Sequence, residues 1–147
     1  MVAIGENAPD FEALNYDGTP FRLSSTRGSP VVLYFYPKAD TPGCTIEAKG
    51  FRDVYAEYAA KQVRVVGVSV DDCPAQKAFR EKYGLPFPLV ADSTKKVSTL
   101  YGVLSPQHGV ARRVTFLIDA KGKVVDVVDA SSPDKHLARA RELFLAK

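Results

Sequence analysis

The residues able to do chemistry lie in one short stretch and one distant position. Pro37-Lys38-Ala39-Asp40-Thr41-Pro42-Gly43-Cys44 follows a continuously apolar run, Val31 to Tyr36, and leads into a helical pattern. A thiol opening a helix faces unpaired backbone N–H groups and the positive end of the helix dipole, which favour the nucleophilic thiolate. Ionisation alone supplies little, because a larger thiolate fraction raises the rate by at most ~30-fold and a less basic sulfur is a weaker nucleophile. A fast reaction therefore needs groups that stabilise its transition state. Thr41, one turn before Cys44, offers a hydroxyl that can donate to an incoming oxygen, and Arg113, at the start of a later apolar strand, offers fixed positive charge.

These residues require a scaffold, and the chain reads as alternating strands and helices. Phe11–Tyr16 and Thr19–Leu23 flank Asp17-Gly18, a pair suited to a tight hairpin turn. Val31–Tyr36 is apolar, β-branched and aromatic throughout and is stopped by Pro37, the pattern of a central strand buried on both faces. Apolar residues then recur at three and four from Cys44 to Ala60, which predicts one helix, and Val63–Val70 predicts a second buried strand. Strand, helix and strand in about forty residues form a βαβ unit with a right-handed crossover. Asp71-Asp72-Cys73-Pro74 opens a further helix that Gly84 ends. A short strand at Pro88–Ala91 and a short helix at Thr94–Tyr101 follow, then a loop over Leu104–Arg112. A hairpin of Arg113–Ile118 with Lys123–Val128 precedes a helix opened by Pro133, with Leu137, Ala140, Leu143 and Phe144 on its buried face. Parallel strands first and antiparallel strands last are the plan of an α/β, thioredoxin-like fold: a mixed central sheet flanked by helices, with an N-terminal β-hairpin.

The 147 residues, 46% of them hydrophobic, suit a single domain spanning residues 1–147, which buries roughly 70% of the surface its unfolded form exposes. A charged fraction of 25%, with ten Gly and ten Pro dispersed, excludes disordered and fibrous classes. Two cysteines are too few for a disulfide scaffold. No signal-peptide pattern opens the chain, no apolar run approaches the ~20 residues of a membrane span, and no aromatic-interleaved basic stripe points to nucleic acid. A cytoplasmic protein is expected. Cys44, Cys73, His108 and His136 lack paired ligand spacing, so neither a metal nor another cofactor is expected. Both histidines read as solvated, His108 in a polar loop and His136 in the first turn of the last helix.

The segment Tyr34-Phe35-Tyr36-Pro37-Lys38-Ala39-Asp40-Thr41-Pro42-Gly43-Cys44-Thr45-Ile46-Glu47-Ala48 resembles the active-site segment of peroxiredoxins, in particular the bacterioferritin comigratory protein or PrxQ subfamily. Val68-Ser69-Val70-Asp71, Lys82 to Leu89 and Arg113 to Asp119 also resemble family segments, in family order. The resemblance covers nearly the whole chain. It implies a thiol peroxidase for hydrogen peroxide and organic hydroperoxides in which Cys44 is the peroxidatic cysteine, Thr41 and Arg113 complete the catalytic set, and Pro37 shields the pocket from water. Backbone N–H groups near Gly43 and Cys44 would polarise the O–O bond. Glu47 recurs in the resembled pattern, either orienting polar groups near the pocket or standing as a solvated first-turn carboxylate.

The resemblance also implies a second thiol, and here the chain departs from the commonest pattern, with Lys49 where many relatives carry a resolving cysteine five residues after the first. Others carry it further along the following helix, where Arg80 stands. Cys73, seven residues earlier on the same helical face, is the remaining candidate; a disulfide needs α-carbons within ~7 Å, so Cys44 would have to unwind locally. The alternative is a one-cysteine enzyme that uses an external thiol. Thioredoxin or another thiol reductant is the implied electron donor, and a monomer or weak dimer the expected state. Thr41 stands where a thioredoxin-type Cys-x-x-Cys motif needs a cysteine, which argues against a disulfide reductase. A non-enzymatic redox sensor or chaperone using the same Cys44 chemistry stays open.

Overall fold

The computed structural model describes residues 1–146. Its centre is a seven-stranded sheet in the order β2-β1-β5-β4-β3-β6-β7. Strands β3 (Val31–Phe35), β4 (Arg64–Ser69) and β5 (Leu89–Ala91) run parallel to one another, whereas β6 (Val114–Ile118) and β7 (Val124–Asp129) run antiparallel. The hairpin of β1 (Glu12–Asn15) and β2 (Pro20–Arg22) turns at Gly18, whose φ of 82° suits a residue without Cβ, and attaches through β1 to β5. The mixed sheet and the N-terminal hairpin agree with the order read from the sequence.

The continuous apolar runs are buried because helices cover both faces. Every residue of β3, β5 and β6 is buried, and β4 is open only at Arg64. Alternation along β3 sends Leu33 and Phe35 into a core with Val66, Val68, Tyr101 and Phe116, and sends Val32, Tyr34 and Tyr36 to the opposite face with Cys44, Ala48, Phe51 and Phe79. On that second face lie α1 (Pro42–Asp53), α2 (Tyr55–Ala60), α3 (Cys73–Tyr83) and α5 (Pro133–Phe144), while α4 (Lys96–Leu100) covers the first.

One helix departs from the sequence reading in kind, while the other elements shift by a residue or two at their ends. The expected helix over Cys44–Ala60 begins two residues earlier, because Pro42 suits the first helical position, and breaks at Val54. The α3 boundaries follow the capping residues: the Asp72 carboxylate accepts from the Ala75 N–H at 2.9 Å, and Gly84 closes the helix with φ 60°. Helices α1 and α5 approach closely at Gly50, where an added Cβ would collide with a Leu137 methyl. No helix among the described residues is long and apolar enough to cross a membrane.

Candidate active site

Strand β3 delivers the chain to a loop held by its neighbours. The Tyr36 hydroxyl donates to Gln76 Oε1 at 2.5 Å, the Ala39 N–H to Asp71 Oδ2 at 2.7 Å. Asp40, at φ 61°, receives Lys82 Nζ at 2.9 Å and the Tyr83 hydroxyl at 2.8 Å, so the end of α3 grips the loop. The first helical bond runs from Thr45 N to Thr41 O. Pro42 has no N–H, and the N–H groups of Gly43 and Cys44 precede any helical acceptor, leaving the helix start electropositive around the thiol.

Cys44 is 1% exposed, and its sulfur accepts from Arg113 Nη2 at 3.6 Å. Arg113 is fixed by two further bonds, Nη1 to Glu47 Oε1 at 2.8 Å and Nε to the Ser131 carbonyl at 3.0 Å. Burial opposes the guanidinium charge, but Glu47 and Cys44 together hold its pKa above the ordinary value. Glu47 is wholly buried, and that burial outweighs the attraction of Arg113 and pushes the carboxyl up to about 7. The solvated alternative for Glu47 is thus excluded. Gly43 makes room for the guanidinium: a Cβ there would stand 2.8 Å from Arg113 Nη2.

Pro37 and Arg113, with Arg112, Asp129, Ala130 and Ser131, line an open cleft of about 310 Å³. Thr41 is half-buried at the helix start, but its hydroxyl donates to the Lys38 carbonyl at 2.7 Å rather than capping α1. Arg112 is exposed and pairs with Asp129 at 2.9 Å, as a surface residue should. Cys73 lies apart. Its sulfur donates to the Asn15 carbonyl at 3.4 Å, at the end of β1, whereas Cys44 points toward Arg113 at the start of β6. In the sheet β1 and β6 are four strand spacings apart, roughly 19 Å at the usual separation. Both cysteines are free thiols.

The structure overturns one expectation. His136 is not solvated but wholly buried, its Nδ1 2.7 Å from Thr115 Oγ1 and its Nε2 2.7 Å from the Ala130 carbonyl. The clue was present, since His136, Ala140 and Phe144 recur at four and share the inward face of α5. Thr115 was also missed. Inside an apolar strand it reads as a β-former, and nothing local discloses its partner. His108 is exposed, as expected.

Fold and site together suit thiol chemistry: a mixed sheet sets one buried thiol at a helix start beside an arginine that a buried glutamate anchors. The chain belongs to the AhpC/TSA family, whose model matches residues 4–127. It is 40% identical over 97% of its length to peroxiredoxin Q, chloroplastic, of Triticum aestivum, covering 67% of that protein. It is 39% identical over 93% of its length to a Coxiella burnetii protein named as a peroxiredoxin bcp, covering 95% of it. Among solved structures it resembles the peroxidoxin BcpB of Mycobacterium tuberculosis, with a TM-score of 0.87 and 38% identity over 97% of this chain and 99% of that one. It is a peroxiredoxin of the Q/bcp kind and an oxidoreductase.

Proposed function

We propose that Cys44 is the peroxidatic thiol and that Arg113, Thr41 and the N–H groups of Gly43 and Cys44 form its peroxide site, with Pro37 and Glu47 shaping it. The observation that carries this reading is the 3.6 Å contact between Arg113 and the Cys44 sulfur at an open helix start. The thiolate attacks the terminal oxygen of hydrogen peroxide or an organic hydroperoxide. The S–O bond forms as the O–O bond breaks, sulfur loses two electrons, and the departing hydroxide or alkoxide takes up a proton. Arg113 and the backbone donors stabilise charge developing along the O–O axis. Thr41 takes part by turning its hydroxyl from Lys38 toward the bound peroxide.

A thiol then condenses with the Cys44 sulfenic acid, forming a disulfide and releasing water before further oxidation makes the sulfur hard to recover. Cys73 performs this step after the first turn of α1 unwinds, and a thioredoxin-type dithiol reopens the bond in the cytoplasm. A second reading, resolution by an external thiol, draws support from the opposite directions in which the two sulfurs point. The protein acts as a monomer or weak dimer, as one domain, without metal, cofactor, nucleic acid or membrane.

The decisive experiment is peroxide consumption coupled to a thioredoxin system. Cys44→Ser should abolish turnover, and retained activity would overturn the assignment. After one equivalent of peroxide, non-reducing peptide mass spectrometry should find Cys44 joined to Cys73; a persistent sulfenic acid would favour the one-cysteine reading.

A further inference from the structure

Beneath the thiol, the buried pair of Arg113 and Glu47 continues into two polar side chains that the peroxide chemistry above does not use, Thr115 and His136. Arg113 and Thr115 stand two residues apart at the start of β6 and so share a face, toward Glu47 from α1 and His136 from α5. For the uncharged ring, which burial favours, one tautomer fits its two contacts. A carbonyl only accepts, so Nε2 carries the hydrogen donated to Ala130, and Nδ1 accepts from the Thr115 hydroxyl. Arg113 Nε and His136 Nε2 therefore hang from consecutive carbonyls, Ser131 and Ala130, at the junction of β7 and α5.

Glu47 uses only half of its carboxylate. Oε1 accepts from Arg113, while Oε2 is buried with no hydrogen-bond partner among the described residues, and His136 Nδ1 lies 3.8 Å from it. Buried polar atoms are nearly always satisfied, so an orphan beside an imidazole needs a reason. A charged His136 would compete with Arg113 for Glu47. Burial first, with the charge of Arg113, holds the His136 pKa below its ordinary value, against the pull of the Ala130 carbonyl. An uncharged ring occupies the site beside Oε2 without drawing the carboxylate from Arg113. The other ionisable groups facing the pair are the Cys44 thiol, Tyr34 from β3 and Asp129 at the end of β7.

We propose that His136 is a positioning residue of the peroxidase site: fixed between Ala130 and Thr115, it leaves Oε2 of Glu47 without a competing donor, so that Oε1 and the Ser131 carbonyl together aim Arg113 at Cys44. The inference rests on the reading of Arg113 as part of the peroxide site.

The test is the second-order rate of peroxide attack, by stopped flow over pH 5 to 8, in the full chain. His136→Gln keeps a donor for Ala130 but exchanges the ring edge for an amide. It should slow attack about tenfold at neutral pH, as expected for a group displaced by a fraction of an ångström, and move the acid limb of the rate profile. The same change in a Glu47→Gln background should have no further effect. An unchanged rate and profile, or an equal loss in both backgrounds, would sink the proposal, the latter by showing that His136 acts through the fold. Thr115→Val, which removes the hydroxyl that fixes the ring, gives an independent arm and should show the same dependence on Glu47. If His136→Gln does not fold, this arm decides. Arg113→Ala separates the two levels: an undiminished rate there refutes the peroxide-site reading itself, whereas a slow Arg113→Ala with a fast His136→Gln refutes only the positioning role.

Discussion

The guanidinium of Arg113 occupies the space that a side chain on Gly43 would fill, with a Cβ there only 2.8 Å from Nη2. Glycine at this helical position permits a close approach of charge to the thiol. Gly43→Ala should therefore cost activity more than stability: alanine suits a helix better than glycine, but its methyl group pushes the guanidinium off the sulfur. Peroxide attack should slow by ~10-fold or more with the thermal midpoint nearly unchanged, measured by stopped flow and calorimetry.

Arg113 makes three directed contacts, to sulfur, carboxylate and carbonyl, from one planar fork. A lysine ammonium cannot reproduce them. Arg113→Lys should lose most of what Arg113→Ala loses, about 10²-fold in kcat/KM for hydrogen peroxide. Rescue by lysine to near wild-type rates would mean that charge alone is used.

The buried Glu47 carboxyl binds its proton more tightly in the folded chain, with a pKa of about 7, than a solvated glutamate does at its ordinary value of 4.5. Its contribution to stability is therefore fully present below about 4.5 and is lost as pH rises through 7. Denaturation at pH 5 and pH 8 should show this slope in the wild type and a flatter one in Glu47→Gln. An identical slope in both would show that another group causes it.

Asp40 ties the loop before Cys44 to the end of α3. If α1 must unwind before Cys73 can reach the sulfenic acid, Asp40→Ala should speed disulfide formation about threefold while leaving the first oxidation step little changed. Quenched-flow trapping of the two products would separate these rates.

Gly50 lets Leu137 pack against the backbone of α1. Gly50→Ala should destabilise the protein by about 1–3 kcal/mol through overpacking, read from denaturant midpoints at constant slope.

Much of this was legible in the sequence because local and global signals coincide. Val31–Phe35 and Val114–Ile118 are apolar throughout and are buried throughout, and Asp72 and Gly84 end α3 where their capping chemistry demands. Cys44 and Gly43 were marked by the loop and helix start that contain them. What the sequence did not disclose depends on side chains meeting across elements. Glu47 looks like any first-turn carboxylate until Arg113 arrives from 66 positions away, and His136 looks solvated until α5 turns it toward Thr115. The break at Val54 was hidden because apolar spacing continues across it from α1 into α2.

That break has a thermodynamic consequence for the redox cycle. Helix α1 spans twelve residues and ends at Asp53, so if resolution by Cys73 requires its first turn to unwind, Glu47, Ala48 and Phe51 stay in their buried positions, and α2, beyond the break, need not melt with it. The cost of exposing Cys44 is thus confined to a few residues. On that reading, each turnover would open a few residues without placing the stability of the whole chain at risk.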